Sequence, residues 1–315
     1  MFDVNLKRKY LYLLNKKIKL NQDISWLIGF YFAEGSKTRD GIGFANAEIV
    51  LVKKMLKIFS NNFDIPVEDW RCYVKTSKKD INIIQNLNKE IPNVQFELSY
   101  SKLATKENLD FRINSRVLSR FMSDYFKKSM QQIMSNSCLS TYFLSGYSIG
   151  DGGVILRDKQ IHGVVITVKN KEYFNYLIKI CDLLYKKKPN VRMTKGCYEI
   201  SYCHVNIISN IILDKIFIDL DRQWTKLILG YKNKQYTRAR IKYWNKIENE
   251  LLDSFKIAKL SGNSHWSVRD ALNKDIDLGL VNAEYKYINN STRLHKCYYL
   301  THKGKTLLGI LKEVN

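Results

Sequence analysis

One ten-residue pattern occurs twice in this chain. Residues 26–35 read WLIGFYFAEG and residues 143–152 read FLSGYSIGDG. In each copy a Gly is followed five positions later by an acid and then by a second Gly. Gly29 and Glu34 correspond to Gly146 and Asp151, both pairs 117 positions apart. The stretches downstream of the two copies also repeat. Short polar, strand-like pieces come first, Ser36 to Ala45 and Gly153 to Val168. A helical spacing comes next: Val52, Met55, Leu56 and Phe59, then Tyr173, Tyr176, Leu177 and Ile180. A strand pair succeeds it, ending in Phe111-Arg112-Ile113 and Tyr198-Glu199-Ile200, and an apolar helix closes each copy at Val117 to Phe126 and Val205 to Leu213. The expected unit is α-β-β-α-β-β-α, twice. The first copy is longer, with the surplus around Ser77 to Ser101 and a possible extra helix from Ile81 to Leu87.

The first segment, Trp26 to Gly35, reads as a buried helix, apolar nearly all round. Ser25 or Asp23 can cap the first, and Gly35 can take the left-handed position after it. Gly29 in mid-helix costs about 1 kcal/mol against Ala by propensity. That cost makes sense if another backbone comes close there, with Gly146 facing Gly29. Two helices packed this way bring Glu34 and Asp151 together at the negative ends of two helix dipoles, where carboxylates are disfavoured. A hard divalent cation relieves both problems. Mg²⁺ fits, with Mn²⁺ as a substitute, because it takes one or two carboxylates plus waters and phosphate oxygens. A metal so held can activate water against a phosphodiester.

The charge balance agrees. Lys+Arg is 52 against Asp+Glu 30, a net +22, so a polyanionic partner is expected. The basic residues are scattered among Tyr, Asn and Ile rather than lining one amphipathic stretch, which disfavours a membrane surface. The six Cys form no CxxC pair, so no zinc cluster or dithiol motif is visible. Met1 to Lys9 lacks an apolar core for a signal peptide. An intracellular place, cytoplasmic or nucleoid-associated, is the expectation.

These segments resemble the two signature helices of single-chain LAGLIDADG homing endonucleases, over roughly residues 20–235. The resemblance implies an α+β fold in which pseudo-twofold tandem αββαββα halves form a DNA-binding saddle. It implies that Glu34 and Asp151, with the backbone of Gly35 and Gly152, hold Mg²⁺ and cut both strands of a long asymmetric site. It implies a Lys near the acids from the late strands of each half. Lys106 and Lys195, each preceded by Thr, match, against the alternative of ordinary solvated lysines. The departures are Ser145, Tyr147 and Ser148 in the second motif, where a more apolar helix is usual. Base reading is expected from strand faces: Arg71, Tyr73 and Lys75 in the first half, Arg192 and Thr194 in the second.

Thr237 to Lys246 carries Arg238, Arg240, Lys242 and Lys246 and reads as a basic helical connector. The segment after it is similar to winged helix-turn-helix domains. Ile257 to Gly262 looks like the second helix and its turn, Ser267 to Leu278 like the recognition helix, and Tyr298 to Thr301 like the return from a wing. His265, Trp266, Ser267 and Arg269 are the expected base contacts, and Lys286, Arg293 and Lys296 the wing contacts. Trp266 packing in the core is the alternative. The expected domains are 1–130, 131–238 and 239–315.

Three functions remain open on sequence. The first is a Mg²⁺-dependent double-strand DNA endonuclease acting as a monomer. The second is a non-cutting DNA-binding regulator, since bacterial sporulation regulators resemble this domain order. The third is an intron maturase, with intron RNA as a partner. Keeping both Glu34 and Asp151 argues for cutting, because without catalysis two acids beside a DNA cleft only repel phosphate. No flanking protein-splicing segments are recognised, so an intron-encoded or free-standing origin is favoured over an intein.

Overall fold

The computed structural model describes residues 10–36, 40–78, 80, 82–102, 104–288 and 292–314. Met1 to Lys9, and Ile81 of the expected extra helix, lie outside them. By contacts the chain divides into two compact units, residues 1–152 with 166–200, and residues 153–165 with 201–315. This division cuts across the repeat, because it follows packing rather than pattern.

The first half runs α1 (Gln22–Glu34), β1 (Gly35–Ser36), β2 (Ile42–Asn46), α2 (Ile49–Phe63), β3 (Arg71–Thr76), α3 (Asn82–Glu90), β4 (Gln95–Tyr100), β5 (Asn108–Ile113) and α4 (Arg116–Ser135). Its sheet is ordered β1-β2-β5-β3-β4. The expected surplus is α3 plus β4, and β4 adds to the sheet edge parallel to β3 with Tyr73 opposite Glu97. The core between this sheet and its helices holds Phe44, Phe59, Trp70, Cys72, Val74 and Phe111, all at most 1% exposed. Phe44 stacks on Phe111 with ring centres 5.3 Å apart.

The second half runs α5 (Ser137–Asp151), β6 (Gly152–Arg157), β7 (Gln160–Val168), α6 (Lys171–Tyr185), β8 (Asn190–Thr194), β9 (Cys197–Tyr202) and α7 (Val205–Leu213). Its sheet is ordered β6-β7-β9-β8, the first-half order without the added strand. The repeat therefore exists as read. Its closing helix is longer than expected in the first half, because α4 continues to Ser135 and meets α5 at a single residue. Asn136 ends α4 and also caps α5, accepting from the Leu139 amide at 3.1 Å.

The remaining chain forms α8 (Asp221–Asn233), α9 (Gln235–Ile247), β10 (Leu252–Asp253), α10 (Ser254–Ser261), α11 (His265–Asp277), β11 (Val281–Tyr287), β12 (Leu294–Leu300) and α12 (His302–Glu313). A three-stranded sheet is ordered β10-β12-β11. The stretch expected to be a basic connector is built differently. Arg240 of α9 is 1% exposed and Asp275 of α11 is 0% exposed. Their ion pair is 2.9 Å long, and Trp244 Nε1 donates to the same carboxylate at 2.9 Å. Burial pushes Asp275 up to about 6 despite Arg240 and Trp244. Arg240 thus fastens α9 to α11 rather than facing solvent, and α9 packs as part of the C-terminal module.

Candidate active site and nucleic-acid surfaces

The site begins with the crossing of α1 and α5. A Cβ placed on Gly29 would lie 2.0 Å from the Phe143 carbonyl oxygen, and one on Gly146 would lie 2.0 Å from that of Trp26. Phe143 and Trp26 are themselves 117 positions apart, so the contact is reciprocal about a local twofold axis. Only glycine allows this approach. The polar residues of the second motif do not loosen it, since Ser145 and Ser148 are buried and Tyr147 is 1% exposed.

Both helices end in the acid. The expected cap of α1 is corrected: Asn21, not Ser25 or Asp23, accepts from the Ile24 amide at 2.9 Å. Ser25 instead donates to the Leu139 carbonyl of α5 at 2.6 Å. The left-handed position expected for Gly35 is also corrected, and Gly152 matches Gly35. Gly35 (φ −70°, ψ 140°) and Gly152 (φ −104°, ψ 163°) are extended, not left-handed. They are required for closeness: a Cβ on Gly35 would meet the Tyr31 carbonyl oxygen at 2.3 Å, and one on Gly152 that of Ser148 at 2.4 Å. The chain thereby turns from helix straight into strand and leaves each acid at the junction.

Glu34 is half-buried and Asp151 is exposed. Burial, and then the nearby Asp151, push the Glu34 carboxyl up to about 7. Gly150, which sequence reasoning did not single out, makes the approach possible. A Cβ there would lie 2.8 Å from Glu34 Cγ. The signal was available as Gly150 standing where the first copy has Ala33. Among the described residues no group of three or more His, Cys, Asp or Glu could hold a metal. The protein therefore offers a pair of carboxylates at two helix C-termini. That set suits a cation that takes its other ligands from water and phosphate.

The two lysines are not on strands. Lys106 stands in the exposed loop before β5. Lys195 is exposed at the β8–β9 hairpin tip, where its φ of 50° and the 76° of Gly196 make a two-residue turn.

The strand face expected to read bases is formed as expected in the first half. Arg71, Tyr73 and Lys75 alternate with buried Cys72, Val74 and Thr76. Their cross-strand partners are Arg112, Asp110 and Asn108 of β5. Arg112 is a missed member of this face. It forms a two-pronged pair with Asp110 at 2.6 and 3.0 Å, and Lys75 reaches the same carboxylate at 2.9 Å. Burial raises the Asp110 carboxyl, but the Arg112 and Lys75 hydrogen bonds outweigh it and hold the group below its ordinary value. In the second half Arg192 pairs with Glu199 at 2.5 Å, on the face shared with Thr194.

In the C-terminal module Trp266 is 69% exposed, which decides against its packing in the core. Arg269 lies over its ring at 4.5 Å, and His265 stacks on Phe255 at 3.7 Å. Ser267 shares a 2.7 Å hydrogen bond with Ser264, the residue that caps α11. On the hairpin Lys286 lies 3.3 Å from Glu284, Arg293 is exposed, and Lys296 donates to Asn273 at 2.8 Å.

No family model matches the chain, and no curated protein does. Solved structures share parts of its course. Full-length DUF199/WhiA from Thermatoga maritima is 13% identical, covering 88% of this chain and 97% of its own, with a TM-score of 0.42. The homing endonuclease I-WcaI bound to its DNA recognition sequence is 12% identical, covering 69% and 90%, also at 0.42. The LAGLIDADG meganuclease I-AabMI bound to uncleaved DNA is 12% identical, covering 77% and 98%, at 0.39. No helix among the described residues is long and apolar enough to cross a membrane.

Proposed function

We propose that this protein is a LAGLIDADG-type, divalent-metal-dependent endonuclease acting on double-stranded DNA. The observation that carries the reading is the acid pair. Glu34 and Asp151 terminate two helices locked together by reciprocal glycine contacts, and burial and mutual repulsion raise Glu34. A fold gains nothing in stability from placing carboxylates at two dipole ends, so the arrangement is better explained by a ligand that is a cation. Bound there, Mg²⁺ or Mn²⁺ would supply an activated water and charge stabilisation at the phosphodiester. The residues of this chain have separate tasks. Glu34 and Asp151, with the carbonyls of Gly35 and Gly152, hold the metal. Lys106 and Lys195 are candidates to balance charge on the phosphate. Arg71, Tyr73, Lys75 and Arg112, with Arg192 and Thr194, meet the duplex. The C-terminal module, read as a winged helix on the order α9, β10, α10, α11, β11, β12, adds a second nucleic-acid contact.

The test is cleavage of a randomised duplex library in Mg²⁺ by the wild type, Glu34→Gln and Asp151→Asn. One long site should be cut by the wild type, and each variant should lose about a hundredfold or more of the rate while still binding. Specific binding by the wild type with no cutting in Mg²⁺ or Mn²⁺ would establish the regulator instead.

A further inference from the structure

The C-terminal module carries more exposed aromatic surface than duplex recognition can use. Phe255, Trp266, Tyr285 and Tyr287 are 62–69% exposed. In a duplex the base faces are stacked on one another, and only edges and phosphates are presented. Large aromatic planes therefore find little to contact there. They fit bases that are unpaired, each of which offers a free face.

The placement of these rings supports the same idea. Trp266, Arg269 and Asn273 recur at i, i+3 and i+7 and so share one side of α11, spanning about 10 Å. At the end of that row Asn273 accepts from Lys296 of β12 at 2.8 Å. Lys296 is the cross-strand partner of Tyr285, and Leu294 is that of Tyr287. Cross-strand partners point to one face of the hairpin. The row on α11 therefore runs onto the hairpin face that shows Tyr285 and Tyr287. At its other end stand His265 and Phe255, stacked with an interplanar angle of 11°. Planar groups alternate along the strip with cations: Arg269 over Trp266, then Lys296 beside Tyr285.

We infer that this strip binds a single nucleic-acid strand, stacking unpaired bases on Trp266, Tyr285 and Tyr287 while Arg269 and Lys296 meet its phosphates. The inference goes beyond the cleavage reading. Its residues lie in a different compact unit from Glu34 and Asp151, so loss of one activity leaves the other measurable.

The experiment is fluorescence anisotropy on the full chain without added metal, using labelled oligo(dT), oligo(U) and a mixed-sequence duplex of equal length. Trp266→Ala, Tyr285→Ala and Tyr287→Ala should each weaken binding of a single strand about tenfold and change duplex affinity less than about twofold. Trp266→Phe should restore most of the loss. Because these side chains are exposed, unchanged thermal unfolding checks that each variant folds. A selective loss on oligo(dT) alone, oligo(U) alone or both supports the strip and tells which strand it takes, whereas single-strand affinity unchanged in all three alanine variants would overturn it. An equal loss on duplex and single strand would overturn it in favour of duplex reading. No binding of either single strand would overturn it too, including the case in which the strip docks a protein.

Discussion

The two halves of the repeat share a helix pair and a strand order, but the first carries one strand more, β4, beyond β3, whose counterpart β8 ends the second sheet. In the first half β4 pairs along β3, and α3 with the turn after it buries Leu87, Ile91 and Val94. Cys72 and Val74 on the inner face of β3 are 0% exposed. In the second half β8 is itself the edge, and its apolar Val191 and Met193 are 47% and 68% exposed. The same alternation of residues thus gives a sealed face in one half and an open one in the other. Alternation fixes which side a residue points to, while cover depends on what the chain supplies next. The open edge is flanked by Lys186, Lys187, Lys188, Arg192 and Lys195, and such charges discourage strand-to-strand association.

The largest effect expected from this contrast is on folding. Val74→Glu should cost about 3–5 kcal/mol, since it buries an unpaired carboxylate, whereas Met193→Glu should stay within about 0.5 kcal/mol. Urea denaturation of both variants decides it. A Met193→Glu loss matching that of Val74→Glu would mean that β8 is covered in solution.

The helix pair should behave in the opposite way, as a place where the halves are equal. Gly29→Ala and Gly146→Ala each drive a methyl into a facing carbonyl and should cost a similar amount, about 1–3 kcal/mol. Unequal losses in the same denaturation measurement would show that the twofold contact is only approximate.

The acids should sharpen the asymmetry most gently. Glu34 rises from 4.5 to about 7 on folding, so the folded chain binds the extra proton between those values and stability falls as pH rises through them. The cost is complete above about 7 and absent below about 4.5. Without metal, Glu34→Gln should therefore stabilise the protein at pH 8 by roughly 1–2 kcal/mol, allowing for solvent access, and not at pH 4. In thermal melts this is a rise of a few degrees at the higher pH only. An equal gap at both pH values would show that the Glu34 carboxyl is not raised.

The repeat, the paired glycines and the acids were legible because they rest on local pattern. Gly29 and Gly146 sit in mid-helix at a cost that only a close neighbour explains, and that neighbour had to be the other copy. Position in three dimensions was less legible. Arg240 looked like one more cation on a basic helix, yet Asp275, which buries it, lies thirty-five positions away. Lys106 and Lys195 matched by their preceding Thr, but loop and turn geometry placed them. The caps failed for a related reason: Ser25 and Asp23 were plausible by type, and Asn21 took the role because the helix starts a turn earlier.

The reciprocal contact has a consequence for descent and design. An interface in which one residue meets the counterpart of a second, and the second the counterpart of the first, is the kind that joins two identical subunits. Here the counterparts belong to one polypeptide, joined at Asn136 with no slack. In a symmetric dimer any insertion appears on both sides. Fusion removes that rule, so one copy could gain α3 and β4 while the other kept a bare, charged edge. A tethered pair can thus keep a twofold centre while its flanks diverge.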